Sequence, residues 1–273
     1  MSLFRLDASI RVEGSHSREI ADIVEQEWRT AHPHSKVVTR QIGLDPVPAT
    51  AWSTAVNATY VPKDKRSPEQ REAVNLAAQA ADQLIDADAL LFAVPLYNFG
   101  VSQHFKSWVD LVICDPRMTA GVEPAIAGKQ AVLVTVRGGS YAQGTPREGW
   151  DHAIGWMCRI LADVWKLDLK VVESEFTLAG VNPAFEQFKE LAKGMRAAAE
   201  QNARDHGRSL ASAVGSHDLY GHQAVGCVDE AARGVFSQWV TDELTVGVTH
   251  LVRDQPPGSH QALPQCRHRS VRP

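Results

Sequence analysis

Hydrophobic positions along the first 200 residues switch repeatedly between two rhythms. Short apolar or alternating runs read as strands: Phe4 to Ala8, Lys36 to Ile42, Ala89 to Val94, Gln130 to Val136 and Leu167 to Glu173. Between them apolar residues recur every three or four positions. Ile20, Ile23, Val24, Trp28 and Ala31 mark one face of a helix over Ser17–Ala31. Val74, Ala77, Ala81, Leu84 and Ile85 mark a second, which ends near Asp86. It opens with Ser67-Pro68-Glu69-Gln70: a serine cap, a proline at the first helical position and a glutamine closing a capping box. Further helices are expected over about 102–114, over Gly149–Trp165 and from Pro183 to about Asp205. The stretch Gly43–Arg66, with its three prolines, reads as irregular, and Asp115–Gly128 as a loop.

Five β-α units in succession predict a doubly wound parallel sheet, because each right-handed crossover returns the chain to the same edge. Pattern alone does not choose between the common strand orders. After about Asp205 the rhythm stops. No lysine follows Lys193, six of the eleven histidines lie beyond Asp205, and Arg253–Pro273 is rich in Pro, Gly, His, Gln and Arg. The expected division is therefore a domain over 1–204 and a poorly ordered extension over 205–273, which has too little apolar surface to offset chain entropy.

Composition narrows the class. The chain has 273 residues, 44% of them hydrophobic, enough for a full core. A net charge of −4 without a dense basic run favours neither nucleic acid nor a membrane surface. No apolar segment approaches the roughly 20 residues of a membrane span. The start, Met1-Ser2-Leu3-Phe4-Arg5-Leu6-Asp7, shows no basic region followed by a long apolar stretch. Cys114, Cys158, Cys227 and Cys266 have no spacing for zinc or a redox dithiol. A cytoplasmic location is the expectation.

In open α/β sheets ligands bind at the carboxyl ends of the strands, and three loops fall there. The first, Asp7 to Arg18, sets Ser9, Gly14, Ser15 and Ser17 ahead of a helix. Unpaired N–H groups and the positive end of the dipole favour an anion there, and hydroxyls add donors. Ser15 and Ser17 acting only as helix caps is an equal alternative. The loop lacks both the Gly-Lys-Ser/Thr of a P-loop and Gly-x-Gly-x-x-Gly, which leaves a flavin mononucleotide phosphate as a suitable occupant. The second, Pro95-Leu96-Tyr97-Asn98-Phe99-Gly100, reads as a strand that stops at a proline and hands over to an aromatic-amide-aromatic turn. It can press on a flat ring, or it can pack into the core. The third, Val136-Arg137-Gly138-Gly139-Ser140, lets backbone approach a ligand closely, although a Gly-Gly pair is by itself only a turn. Arg137 and the glycine N–H groups can stabilise negative charge on a reduced flavin.

Ser9, Ser15-His16-Ser17, Pro95-x-Tyr97-Asn98-Phe99, the Lys106-x3-Asp110 pair, Gly128-Lys129 and Arg137-Gly138-Gly139 occur in order and at matching intervals. In this the chain resembles FMN-dependent NADH-azoreductases (NADH:quinone oxidoreductases) over about residues 1 to 200. The resemblance implies a flavodoxin-like fold, a five-stranded parallel sheet in the order 2-1-3-4-5. It also implies a homodimer with one FMN per subunit. NADH or NADPH would give a hydride to FMN, and the reduced flavin would pass two electrons to a quinone or azo compound by ping-pong transfer. Flavin contacts are implied at Ser9, Ser15, His16, Ser17, Leu96, Tyr97, Asn98, Phe99, Val136, Arg137, Gly138 and Gly139. The family often has Met where Leu96 stands. It usually has a longer, aromatic-bearing loop where Asp115–Gly128 stands, which leaves the substrate range open. A flavodoxin-like electron carrier or FMN-binding module without turnover is the rival reading.

The remaining polar residues carry less. His104 is either near the substrate or a surface group. Lys106 and Asp110 suit an ordinary i,i+4 pair. Trp108 and Trp156 read as core or interface. His217, His222 and Cys227 match no established metal spacing. Flavin chemistry needs no protein nucleophile, so neither a catalytic residue nor a metal site is expected.

Overall fold

The computed structural model of the chain describes residues 1–217. Five parallel strands, β1 (Ser2–Asp7), β2 (Lys36–Arg40), β3 (Ala89–Tyr97), β5 (Gln130–Val136) and β6 (Asp168–Ser174), lie side by side in the order β2-β1-β3-β5-β6. The two-residue β4 (Gly100–Val101) folds back antiparallel on the end of β3. Leaving β4 aside, this is the expected 2-1-3-4-5 order. Register is continuous across the sheet: Leu6 lies beside Phe92, Phe92 beside Leu133 and Leu133 beside Val171.

The period of two along each strand sends alternate side chains to opposite faces, and helices cover both. Phe4, Leu6, Leu90, Phe92, Val94 and Leu133 pack against α3 (Pro68–Ile85), α4 (Gln103–Val112) and α5, which runs over Ile154–Cys158 and continues as a wider π turn over Arg159–Val164. Trp108 and Trp165 are buried there at right angles to one another. Leu3, Leu91, Val132 and Val134 pack on the other face against α1 (His16–Ala31) and α6 (Lys189–His217). Burial on both faces is why 89–94 reads as an unbroken apolar run.

Several boundaries differ from expectation. The irregular stretch contains α2 (Ala51–Thr59), whose Ala51 and Ala55 nest against Ala73 and Ala77 of α3. β3 does not stop at Pro95 but continues to Tyr97, because proline follows the strand's own φ and costs only one donor. α5 begins at Ile154 rather than Gly149, which leaves a long loop over 138–153. Pro183–Phe188 is a 3₁₀ segment leading into α6. α6 continues past Asp205 to His217, and Leu210 and Ala211 are buried in the core. Gly207 makes that possible: a Cβ there would lie 2.8 Å from Glu27 Cβ of α1. Residues 218–273, including His222, Cys227, Cys266 and most of the extension, lie outside the described residues, as does the side chain of His217. No helix among the described residues is long and apolar enough to cross a membrane.

Candidate active site

The register fixes where the site forms. Asp7 ends β1 beside Ala93 of β3, and Pro95 lies beside Val136 at the end of β5. All three loops therefore leave the sheet at one edge, and they line one cavity of about 440 Å³. A fourth segment, residues 175–188 after β6, closes it with Thr177, Leu178, Asn182 and Phe185.

The first loop is held from behind by buried charge. Arg18 Nη1 donates to Asp7 Oδ2 at 2.8 Å, its Nη2 to the Ser9 carbonyl at 3.1 Å and its Nε to the Arg11 carbonyl at 2.9 Å. Arg5 Nε takes the other oxygen of Asp7 at 3.1 Å and reaches Asp22 and Glu25 through Nη1. Burial opposes the Arg5 charge, and the carboxylates of Asp7, Asp22 and Glu25 outweigh it, so its pKa is raised. Two guanidiniums thus neutralise the Asp7 carboxylate beneath the first loop. Gly43 backs the same turn: a Cβ there would lie 2.0 Å from the Ser9 carbonyl oxygen.

On the cavity side, Ser9, Ser15 and Ser17 are buried and line the wall with His16. Ser15 is the N-cap of α1 by backbone conformation, yet its side chain makes no cap hydrogen bond. Its hydroxyl lies 3.4 Å from that of Ser17. The capping alternative for Ser15 therefore does not hold: its hydroxyl pairs with that of Ser17 rather than with the helix N–H groups. His16 Nδ1 lies 2.9 Å from Arg196 Nη1 of α6. Burial pushes its pKa down, and the Arg196 and Arg11 cations add to this against the pull of Glu19.

The second loop is a two-residue hairpin. Tyr97 pairs with Gly100 across Asn98 and Phe99, whose φ values are +47° and +67°. Both central residues in the left-handed region define a type I′ turn, which asparagine tolerates and phenylalanine does not favour. Such local strain belongs to positions that the surrounding structure over-determines. Here the neighbours are the other loops. The Tyr97 hydroxyl accepts from Ile10 N at 3.3 Å and lies 3.4 Å from Ser9 Oγ. The Phe99 carbonyl accepts from His152 N at 3.1 Å.

The third loop runs alongside the fourth segment, with Thr177 N donating to Arg137 O and Leu178 N to Gly138 O. A Cβ on Gly138 would lie 2.6 Å from Leu178 Cδ1, and one on Gly139 would lie 3.4 Å from Phe185. Val136, Gly138 and Gly139 line the cavity as expected. Arg137 does not. Its guanidinium is buried among Asp151 at 2.7 Å, Glu175 at 3.4 Å and Glu173 of β6, with Nε left unpartnered. Three carboxylates claim it, so it anchors the loop instead of facing a ligand. Asp151 also accepts from Ala153 N and Ile154 N and so starts α5.

Eleven of the twelve expected contact residues thus share the cavity, Arg137 being the exception. Sequence reasoning missed Arg11, Tyr141, Arg147 and the fourth segment. Asp115–Gly128, the aromatic-free loop standing where the family has its longer one, packs inward: Met118 and Ile126 are buried in the core, and Asp115 binds Arg117. Aromatic cover comes from 138–153, where Tyr141 and Trp150 meet Phe99 edge-on at 5.9 and 5.4 Å between centroids. His104 is half-buried and does not line the cavity. Lys106 binds Asp110 at 2.6 Å, an ordinary helix pair, and also lies over the Trp156 ring. Lys129, at the opposite sheet edge, caps the carboxyl end of α3 through the carbonyls of Leu84, Ile85 and Ala87. Burial, with Asp110 beside it, pushes the Cys114 thiol up to about 11, so it is a poor nucleophile.

This fold and site define a flavodoxin-like protein, and a model of the flavodoxin-like fold family matches residues 1–202. The chain is 38% identical over 205 residues to an FMN-dependent NADH:quinone oxidoreductase of Frankia alni, covering 74% of this chain and 97% of that protein. It is 39% identical over 204 residues to the enzyme of that name from Frankia casuarinae, covering 74% and 96%. The chain belongs to this FMN-dependent NADH:quinone oxidoreductase family. Among solved structures the fold is shared by azoreductase AzrA, with a TM-score of 0.63 at 20% identity, covering 77% of this chain and 100% of that one. It is shared too by an FMN-dependent NADH-azoreductase from Bacillus anthracis, in complex with FMN, with a TM-score of 0.57 at 14% identity, covering 74% and 100%.

Proposed function

We propose that this chain is an FMN-dependent oxidoreductase that passes electrons from NADH or NADPH to quinones or azo compounds. The observation that carries it is the pair of ends of the cavity. One end offers the hydroxyls of Ser9, Ser15 and Ser17 over a helix N-terminus, with no carboxylate on the lining. The other offers Leu96, Val136, Leu178 and Phe185 as apolar walls. A phosphorylated flat ring matches both ends. Ser15, Ser17 and the first N–H groups of α1 would hold the phosphate. Leu96 to Phe99, Val136, Gly138 and Gly139 would hold the ring. FMN, when bound, supplies the two-electron carrier chemistry.

The protein's part is to bind, orient and shield. Gly138 and Gly139 bring backbone to the ring edge at a place where a larger residue would meet Leu178 or Phe185. Tyr97 ties the ring-binding turn to the phosphate loop, so both ends of the ligand are held in one frame. The Phe99–Tyr141–Trp150 cluster stands at the mouth, which serves donor and acceptor in turn, a ping-pong arrangement. No side chain is assigned as proton donor or nucleophile. A homodimer is part of the same reading.

The test is the visible spectrum of the purified full-length chain, FMN titration and NADH oxidation with menadione. One bound FMN per chain and steady turnover are expected. Colourless protein indifferent to FMN defeats the proposal, and FMN binding without NADH consumption leaves an electron carrier.

A further inference from the structure

The cavity lining carries three basic side chains, Arg11, His16 and Arg147, although the whole chain is acidic. Arg11 and His16 belong to the first loop, at the hydroxyl end. Arg147 is at the other rim. Its guanidinium carbon lies 5.6 Å from the Phe99 ring centroid and 5.9 Å from that of Trp150. Both rings are wet, with 37% and 49% of their residues' surface exposed. Two exposed arginines elsewhere hold carboxylates, Arg29 with Glu25 and Arg159 with Asp163. Among the described residues Arg147 has the two aromatic rings as its side-chain partners and no carboxylate.

A guanidinium set against aromatic rings keeps its in-plane N–H donors for an oxyanion. The rings meanwhile offer a flat apolar surface next to that charge. We propose that Arg147 is a specificity-determining residue. It takes the negative group of a flat aromatic molecule that exchanges at the mouth, while Phe99, Tyr141 and Trp150 take its ring. The charge has two sources with the same chemistry: a sulfonate or carboxylate on the electron acceptor, or the phosphates of the dinucleotide donor. The proposal rests on the reading of the cavity as an FMN site and adds to it which partners that site prefers.

The experiment uses the FMN-loaded full chain and its Arg147→Ala and Arg147→Lys variants. Equilibrium dialysis without donor measures the binding of 1,4-naphthoquinone-2-sulfonate and of uncharged menadione. Steady-state assays with menadione give KM for NADH. Loss of one charge-assisted contact is expected to weaken the sulfonated quinone about tenfold in Arg147→Ala, with menadione changed less than about twofold and the lysine variant in between. If instead the NADH KM alone rises about tenfold, the dinucleotide is the source of the charge and the proposal stands. Equal losses for the charged and neutral quinones, or no change in any of the three constants, overturn it. A wild-type protein that binds no FMN defeats the underlying reading instead, and that is seen before any variant is made. Arg147 is exposed, so its replacement leaves the core intact.

Discussion

The two rims of the cavity are built on different principles. The first loop is buried and fixed from beneath: Arg18 holds Asp7 and two carbonyls, and Gly43 leaves no room behind Ser9. The loop over 138–153 is largely exposed beyond Gly139 and carries Tyr141, Arg147 and Trp150 on its outer part. It is tethered by the cluster of Arg137 with Asp151, Glu173 and Glu175, and by backbone hydrogen bonds near its two ends, Leu178 N to Gly138 O and His152 N to Phe99 O. A permanent ligand rewards a preorganised berth, since nothing is spent on ordering it at each encounter. Exchanging partners reward a rim that can adapt, which is drawn from the less stable part of a fold. The contrast supports the proposal that the first rim holds the cofactor and that the outer part of the second, beyond Gly139, meets the substrates.

The contrast breaks most readily at Ser17. Ser17→Asp sets an unpaired charge in a nearly inaccessible position beside the phosphate site. A cost of about 3 kcal/mol or more in FMN binding is expected, roughly a hundredfold or greater, read by titration. Unchanged affinity would remove the phosphate from this loop.

A pair of glycine variants comes next. Gly43→Ala drives a methyl group to 2.0 Å from backbone, which cannot yield without moving Ser9. It is expected to lower stability by about 1–3 kcal/mol and to weaken FMN binding with it. Gly138→Ala meets a side chain rather than backbone, with Leu178 Cδ1 at 2.6 Å and Cγ at 2.8 Å, and Leu178 is exposed enough to turn away, so a smaller loss of about 1 kcal/mol is expected. Thermal melts of both proteins with and without FMN decide this. Equal effects would mean that the two rims are equally rigid.

Asp151→Asn keeps the acceptor for Ala153 and Ile154 but removes one of three carboxylates from Arg137. Two remain, so the fold should hold. FMN affinity is expected to stay within about twofold, while KM for menadione rises several-fold as the rim loosens. The reverse pattern, lost FMN with unchanged KM, would assign Arg137 to the cofactor after all.

The smallest effect concerns pH. His16 is half-buried and its pKa is lowered, chiefly by burial, so the unfolded chain takes up this proton first. The fold is penalised as pH falls below about 6.5, and the penalty levels off below the folded-state value. The His16→Gln protein is expected to lack this part of the decline, seen as a flatter plot of Tm against pH between 7.5 and 5. Parallel curves for the two proteins would show that His16 does not contribute.

Where the sequence was legible, the signal was local. The capping box at Ser67 forms as read, with Gln70 N donating to Ser67 Oγ and Ser67 N to the Gln70 side chain. The parallel strands announced themselves because a period of two, or an unbroken apolar run, records which faces are buried. α2 escaped notice because its contact face is alanine among prolines; Ala51 and Ala55 signal a helix only once the alanines of α3 lie opposite. The end of α6 escaped because its burial depends on Gly207 meeting α1 far away in sequence.

By itself, the sequence determined the succession of the five long strands, most of the helices between them and the three loops that hold the candidate cofactor contacts. These follow from side-chain periodicity and from turn chemistry, which act between residues a few positions apart. Only the tertiary structure decided that Arg137 serves three carboxylates, that Asp115–Gly128 turns inward, and that Phe99, Trp150 and Arg147 form one rim. Each of these depends on groups brought together across the sheet edge from segments up to about 50 residues apart. Direction and partner of a side chain are properties of packing, and packing exists only once the sheet has closed the distance.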